Sequence, residues 1–159
     1  MITHMKHEIE NLGKSFKNAA RGLLAVTRHE RNFRIHIVMM LYVIFFSVIG
    51  RAEKGDVACF VLCFGIMLAA ELINTALELL CDEVTEQYNE RIRDVKDIAA
   101  GAVLVSAIAS AVVGLMTFLS SDVFGNVMTC FSKHVWVLVA FILSIPLAVL
   151  FIFRRGKSE

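Results

Sequence analysis

The chain has a single proline, and charged side chains occupy only 19% of its 159 positions. It also lacks several signatures of soluble chemistry. No G-x-x-x-x-G-K phosphate loop and no G-x-G-x-x-G fingerprint occurs, which excludes the two commonest nucleotide cradles. No H-E-x-x-H is present, and His4, His7, His29, His36 and His134 show no metal-ligand spacing. The four cysteines suggest no disulfide framework. Cys59 and Cys63 share a helical face, but no histidine joins them, so they read as small packing residues. A formal net charge of +1 argues against a nucleic-acid partner, which would need a basic surface. The first 30 residues are charged throughout and lack a continuous apolar core, so no N-terminal signal peptide is expected.

What remains is apolar. Hydrophobic residues make up 57% of the chain, a composition that points to the membrane. Four uncharged or nearly uncharged runs read as spans: 35–50, 57–81, 98–121 and 135–153. About 20 apolar residues cross a bilayer core as a helix, so the first is slightly short and the others suffice. Lysine and arginine are distributed unevenly among the segments outside these runs. The N-terminal segment, the connection before Ile98 and the tail together hold 13, whereas the two remaining connections hold only Arg51, Lys54 and Lys133. Thirteen against three, on alternating sides, predicts four spans with both termini in the cytoplasm.

Inside the second run sit groups that do not belong in lipid. Glu71, Asn74, Thr75, Glu78 and Asp82 fall within about 100° of one another on a helix and so share one face. A carboxylate at membrane depth is costly and usually marks a site. Hard oxygen ligands near an interface suit Mg²⁺, which takes one or two carboxylates together with substrate phosphates. Glu71 and Glu78 lie about 10 Å apart along the axis, so both cannot touch one hydroxyl. The deeper Glu71 fits a general base, a role that low-dielectric surroundings favour. Glu78, nearer the charged connection, fits a metal ligand, and Asn74 fits an orienting hydrogen bond.

Two further patterns frame this stripe. Residues 8–33 read as an amphipathic surface helix, with Ile9, Leu12, Phe16, Ala20, Leu23 and Thr27 on one stripe and Lys14, Lys17, Arg21 and Arg28 beside it. Gly13 and Gly22 could bend it. In the third span Ala102, Ser106, Ser110 and Gly114 recur every four residues, a ridge that lets helices approach closely in a buried centre or an oligomer seam. The connection 82–97 holds six acids and three bases; either it is simply solvated or it closes over a site that handles a metal and phosphates. Lys96 and Asp97 stand where the third span begins, and a helix N-terminus there would help hold an anion.

The segments HERNFRIH (29–36), AELINTALELLCDEVT (70–85) and VKDIAAGAVL (95–104) closely resemble the prokaryotic diacylglycerol kinase family, and within it the Gram-positive undecaprenol kinases. The resemblance covers roughly residues 10–118. It implies an all-α integral membrane kinase of the bacterial cell membrane, homotrimeric, with active sites between protomers. By that similarity Glu71 is the catalytic base, supported by Asn74, and Glu30 and Glu78 hold Mg²⁺ with ATP. Lys96 and Asp97 would contact the nucleotide, with Tyr88 and Asn89 beside it. Arg34, Lys14 and Ser15 would border the lipid and nucleotide entrances. Relatives often carry histidine at the position of Asn89. The implied organisation is an interfacial helix over 1–34, a membrane kinase core over 35–121 with the cytoplasmic connection 82–97, and a C-terminal segment 122–159. That last segment reads as a loop, an accessory fourth span and a basic tail. The function expected is transfer of the γ-phosphate of ATP to undecaprenol or diacylglycerol. The rival readings are an ion or proton conductor using the same carboxylates, and a scaffold in which the acids pair with neighbouring bases.

Overall fold

The computed structural model describes residues 2–84, 87–119 and 121–154. Thr85 and Glu86 of the acidic connection, and Arg155 and Lys157 of the basic tail, lie outside the described residues. Six helices and no strand are found among those described: α1 (Ile2–His29), α2 (Arg31–Ile49), α3 (Lys54–Val84), α4 (Glu90–Phe118), α5 (Ser121–Lys133) and α6 (Val135–Phe153). α2, α3, α4 and α6 are long and apolar enough to cross a membrane. The protein is an all-α integral membrane protein.

Helix length decides where the charged groups go. α2 and α6, at 19 residues each, are about 28 Å long and match a hydrocarbon core of about 30 Å. α3 and α4, at 31 and 29 residues, run to about 45 Å, so each overhangs the bilayer by several turns. The overhanging ends carry Glu78, Asp82 and the run from Glu90 to Asp97. Within the bilayer, Phe60, Phe64 and Met67 of α3 form the core, covered by Met40 and Val43 of α2 and Ala107, Val113 and Phe118 of α4. Phe60 stacks on Phe118 with ring centres 5.7 Å apart. Ile66, Leu104 and Leu147 point outward, as lipid-facing positions must.

The segment between the third and fourth spans is not the loop that its sequence suggests. α5 lies there, held by Val123 and Val127, which are buried against the α2–α3 turn. A Cβ at Gly50 would come within 2.8 Å of Val123 Cγ1 and 2.7 Å of the Phe46 carbonyl, so only glycine allows this approach. Asn126 Nδ2 then donates to the Gly50 carbonyl at 3.0 Å. α6 rests on α2 through Phe141, which stacks on Phe45 at 5.9 Å and meets Tyr42 edge-on at 5.6 Å. Tyr42 and Ser144 hydroxyls complete that seam at 3.2 Å.

Three other expectations change. α4 starts at Glu90, eight residues before Ile98, because the Asn89 side chain caps it by accepting from Arg91 N at 3.0 Å and Ile92 N at 3.4 Å. Lys96 and Asp97 therefore sit in its second turn, away from the free amides of the helix N-terminus. α1 runs unbroken through Gly13 and Gly22, and the chain breaks instead at Glu30, whose backbone is extended at φ −93°, ψ 115°. The small-residue ridge of α4 is not buried within the chain: a Cβ added at Gly114 meets nothing within 4 Å.

Two long-range contacts fix the arrangement of ends. The α5 contact with Gly50 puts α5 beside the α2–α3 turn. At the opposite end, the Arg34 guanidinium reaches both the end of α1 and the end of α6. The first and last helices thus finish on the side that carries Glu30 and the overhang of α3 and α4.

Candidate active site

α3 supplies the centre of the site. Because its apolar residues pack against both α2 and α4, the polar stripe is drawn into the helix junction rather than toward lipid. Glu71 is 2% exposed, more enclosed than any leucine, valine or phenylalanine of the core. Asn74 and Thr75, one turn along, are also buried. Glu78 is half-buried and Asp82 exposed, so the stripe climbs from protein interior to solvent over about 16 Å.

Hydrogen bonds order this stripe. Asn74 Nδ2 donates to Glu78 Oε1 at 2.7 Å, which fixes one carboxylate oxygen and leaves the other available. The opposite face of the same amide is unsatisfied: Asn74 Oδ1 is buried with no hydrogen-bond partner among the described residues. An orphaned buried acceptor costs about 1–3 kcal/mol, a cost that a bound donor such as a substrate hydroxyl would relieve.

The electrostatics are one-sided. Glu30, at the α1–α2 break, and Glu78 both lie within electrostatic range of Glu71. The Glu30 side chain makes no capping hydrogen bond to α2, so it is not consumed by the helix it precedes. Among the described residues the ion pairs are Arg93 with Asp94 and Asp97, and Lys96 with Asp82. None neutralises Glu30, Glu71 or Glu78. Three carboxylates around one partly desolvated junction repel one another, a repulsion that a cation between them would relieve. No three described His, Cys, Asp or Glu side chains converge closely enough to hold a metal ion alone. One or two carboxylates with substrate phosphates completing the shell is the arrangement that Mg²⁺ favours.

The rim is built from the start of α4. Lys96 pairs with Asp82 across the two helices and lies within electrostatic range of Glu78. Arg93 donates from Nη1 to the Tyr88 hydroxyl at 2.9 Å and pairs through Nε with Asp97 at 3.9 Å. Tyr88, Asn89 and Asp97 are exposed, and Asn89 serves as the helix cap. Lys14 and Ser15 are exposed on α1, where Ser15 Oγ donates to the Asn11 carbonyl at 3.1 Å.

Arg34, expected to border the entrances, is enclosed at the α1–α2 elbow. It is 6% exposed, and its guanidinium donates to three backbone carbonyls: Thr27 at 3.1 Å, Arg28 at 2.8 Å and Ile152 at 3.0 Å. The signal was available, since an arginine inside a helix of membrane-spanning length must find partners just as Glu71 must. Its partners, being backbone atoms and in one case 118 residues away, leave no trace in side-chain pattern.

Fold and polar stripe together define a helical membrane protein with a buried carboxylate, Glu71, inside its helix junction. The prokaryotic diacylglycerol kinase family matches residues 17–118, and the chain belongs to that family. The matched region ends with α4. Undecaprenol kinase of Bacillus subtilis is 34% identical over 114 residues, covering 72% of this chain and 93% of the relative. Diacylglycerol kinase of Synechocystis sp. is 40% identical over 105 residues, covering 65% of this chain and 60% of that protein. No solved structure matches. Family membership makes the chain a lipid kinase, acting with a nucleotide phosphate donor, and gives no support to an ion conductor.

Proposed function

We propose that the chain transfers the γ-phosphate of Mg-ATP to the hydroxyl of a membrane lipid alcohol, either undecaprenol or diacylglycerol. The observation that carries this reading is the enclosed Glu71 flanked by two carboxylates, Glu30 and Glu78, none of the three in an ion pair with a described base. Glu30 and Glu78 would hold Mg²⁺, which supplies charge neutralisation and positioning for the phosphates. Glu71 would accept the proton of the lipid hydroxyl as its oxygen attacks the γ-phosphorus and ADP leaves with the bridging oxygen, the role its depth below the other two suits. Asn74 holds Glu78 with its amide nitrogen, and its unpartnered oxygen is left free to accept from a bound donor. Lys96, Asp97, Tyr88 and Asn89 border the nucleotide from the start of α4, and Lys14 of α1 extends that border. Ser15 would border the lipid entrance, and Arg34 would hold the α1–α2 elbow.

The site lies at the end of the bundle where α1 and α6 finish, and the thirteen-to-three distribution of bases supports that end as the cytoplasmic face of a bacterial cell membrane. The partly covered small-residue ridge of α4 supports a homo-oligomer, a trimer by family resemblance. The 34% identity with an undecaprenol kinase over nearly all of that protein's length favours undecaprenol as acceptor.

The test is direct. Full-length protein in mixed micelles receives labelled ATP and Mg²⁺ with undecaprenol and diacylglycerol offered side by side. Labelled lipid is expected from at least one, with undecaprenol faster. No labelled product from either, or no magnesium-dependent uptake of adenine nucleotide by calorimetry, overturns the reading.

A further inference from the structure

The C-terminal helix, outside the family-matched residues, touches the site through one side chain. Arg34 donates Nη1 to the carbonyls of Thr27 and Arg28 and Nε to the carbonyl of Ile152. These acceptors belong to the last turns of α1 and α6, where carbonyls lack helical partners and the helix dipole is negative. One guanidinium therefore ties two helix ends together, and Glu30 sits inside the tie. Thr27 and Arg28 precede Glu30 by two or three residues, and Arg34 follows it by four. The extended backbone at Glu30 has neither glycine nor proline to impose it, and its side chain does not cap α2. What fixes the break is the ring of contacts around it. α6 in turn is seated on α2 by Phe141 and by the Tyr42–Ser144 hydroxyl pair.

We infer that α6 is a brace for the site: acting through Arg34, it sets the α1–α2 elbow and so the placement of Glu30. The inference rests on the reading of Glu30 as a magnesium-holding group. Arg34 and Phe141 are positioning residues in this scheme and touch no substrate. Arginine is required because its planar fork spans two acceptor sites, whereas the compact ammonium of lysine serves one.

Three full-length variants test it: Arg34→Lys, Phe141→Ala and Glu30→Gln. Magnesium half-saturation and kcat are measured for each, together with Mn²⁺ binding by electron paramagnetic resonance without lipid. Amide hydrogen exchange is followed across 28–36, with the core segment 60–67 as control. Phe141→Ala lies away from the carboxylates, so it remains informative should Arg34→Lys fold poorly. Arg34→Lys is expected to raise magnesium half-saturation roughly tenfold and Phe141→Ala roughly threefold, with kcat within about twofold, the pattern of lost binding rather than lost chemistry. Both should weaken Mn²⁺ binding and speed exchange at the elbow but not in the control. Neither should add to the magnesium defect of Glu30→Gln when combined with it. The brace is refuted if Phe141→Ala leaves elbow exchange and metal binding as in the parent while Glu30→Gln weakens metal binding. If Glu30→Gln leaves metal binding intact, the metal role of Glu30 falls, and faster elbow exchange in Phe141→Ala alone would still establish the mechanical link.

Discussion

A carboxyl group enclosed more completely than any aliphatic side chain around it needs a reason to be there. For Glu71 the proposed reason is a proton: the charged groups within its range are acids, Glu30 and Glu78, and it forms no ion pair with a described base. Replacing it with glutamine keeps shape and hydrogen-bonding capacity while removing the acceptor. Glu71→Gln should lower kcat by about 10²–10⁴, the range general-base catalysis contributes, and retain nucleotide binding. Single-turnover phosphorylation alongside calorimetric titration of Mg-ATP measures the two separately. Normal turnover would remove Glu71 from the base role. That this stripe is enclosed was legible in the sequence, because carboxylates at helical spacing in an apolar run cannot face lipid cheaply. Glu30 was not legible from the residues themselves. It stands among His29, Arg31 and Arg34, where a surface ion pair is the ordinary meaning; the family resemblance singled it out, and the structure adds that it stands at a chain break.

At the scale of the helices, what could be read was whatever depends on composition alone. Uncharged runs gave the four spans, and long helices with charged ends follow from where those runs stop. α5 escaped because its 13 residues are half polar and too short to signal a span, and because its partner is a glycine 76 residues away. The start of α4 escaped similarly: a charged, capped overhang looks like a loop until Asn89 is seen to close its amides. The α5 contact supplies a stability prediction. Gly50 has ordinary right-handed backbone angles, so alanine there is disfavoured by space and not by conformation. Its Cβ would press on a carbonyl that cannot move without disturbing α2. Gly50→Ala should cost about 1–3 kcal/mol, as overpacking does. Thermal unfolding in detergent should show a lower midpoint, with magnesium half-saturation unchanged because the site lies at the opposite end. An unchanged midpoint would mean that α5 does not press on the turn.

For the molecule as a whole, the packed side of α4 is already taken by α3, and yet its row of small residues is only partly covered, with Ala102 exposed and space for a Cβ at Gly114. Ser106 and Ser110 turn their hydroxyls back onto the carbonyls of Ala102 and Ser106, at 2.9 and 2.8 Å, which satisfies them locally and leaves a smooth groove. In lipid such a groove gains nothing from the hydrophobic effect and becomes useful only when another helix fits it closely. The isolated chain therefore has room for larger side chains at these positions, while an assembled one would not. Ala102→Leu and Gly114→Leu should leave the helical content and the unfolding of the single chain essentially intact. They should shift the particle from an oligomer to a smaller species in light scattering coupled to chromatography. Lipid phosphorylation should fall with the oligomer if neighbouring chains complete the site. Retention of both oligomer and activity in the double variant would place the interface elsewhere, on the outward faces of α3 or α6.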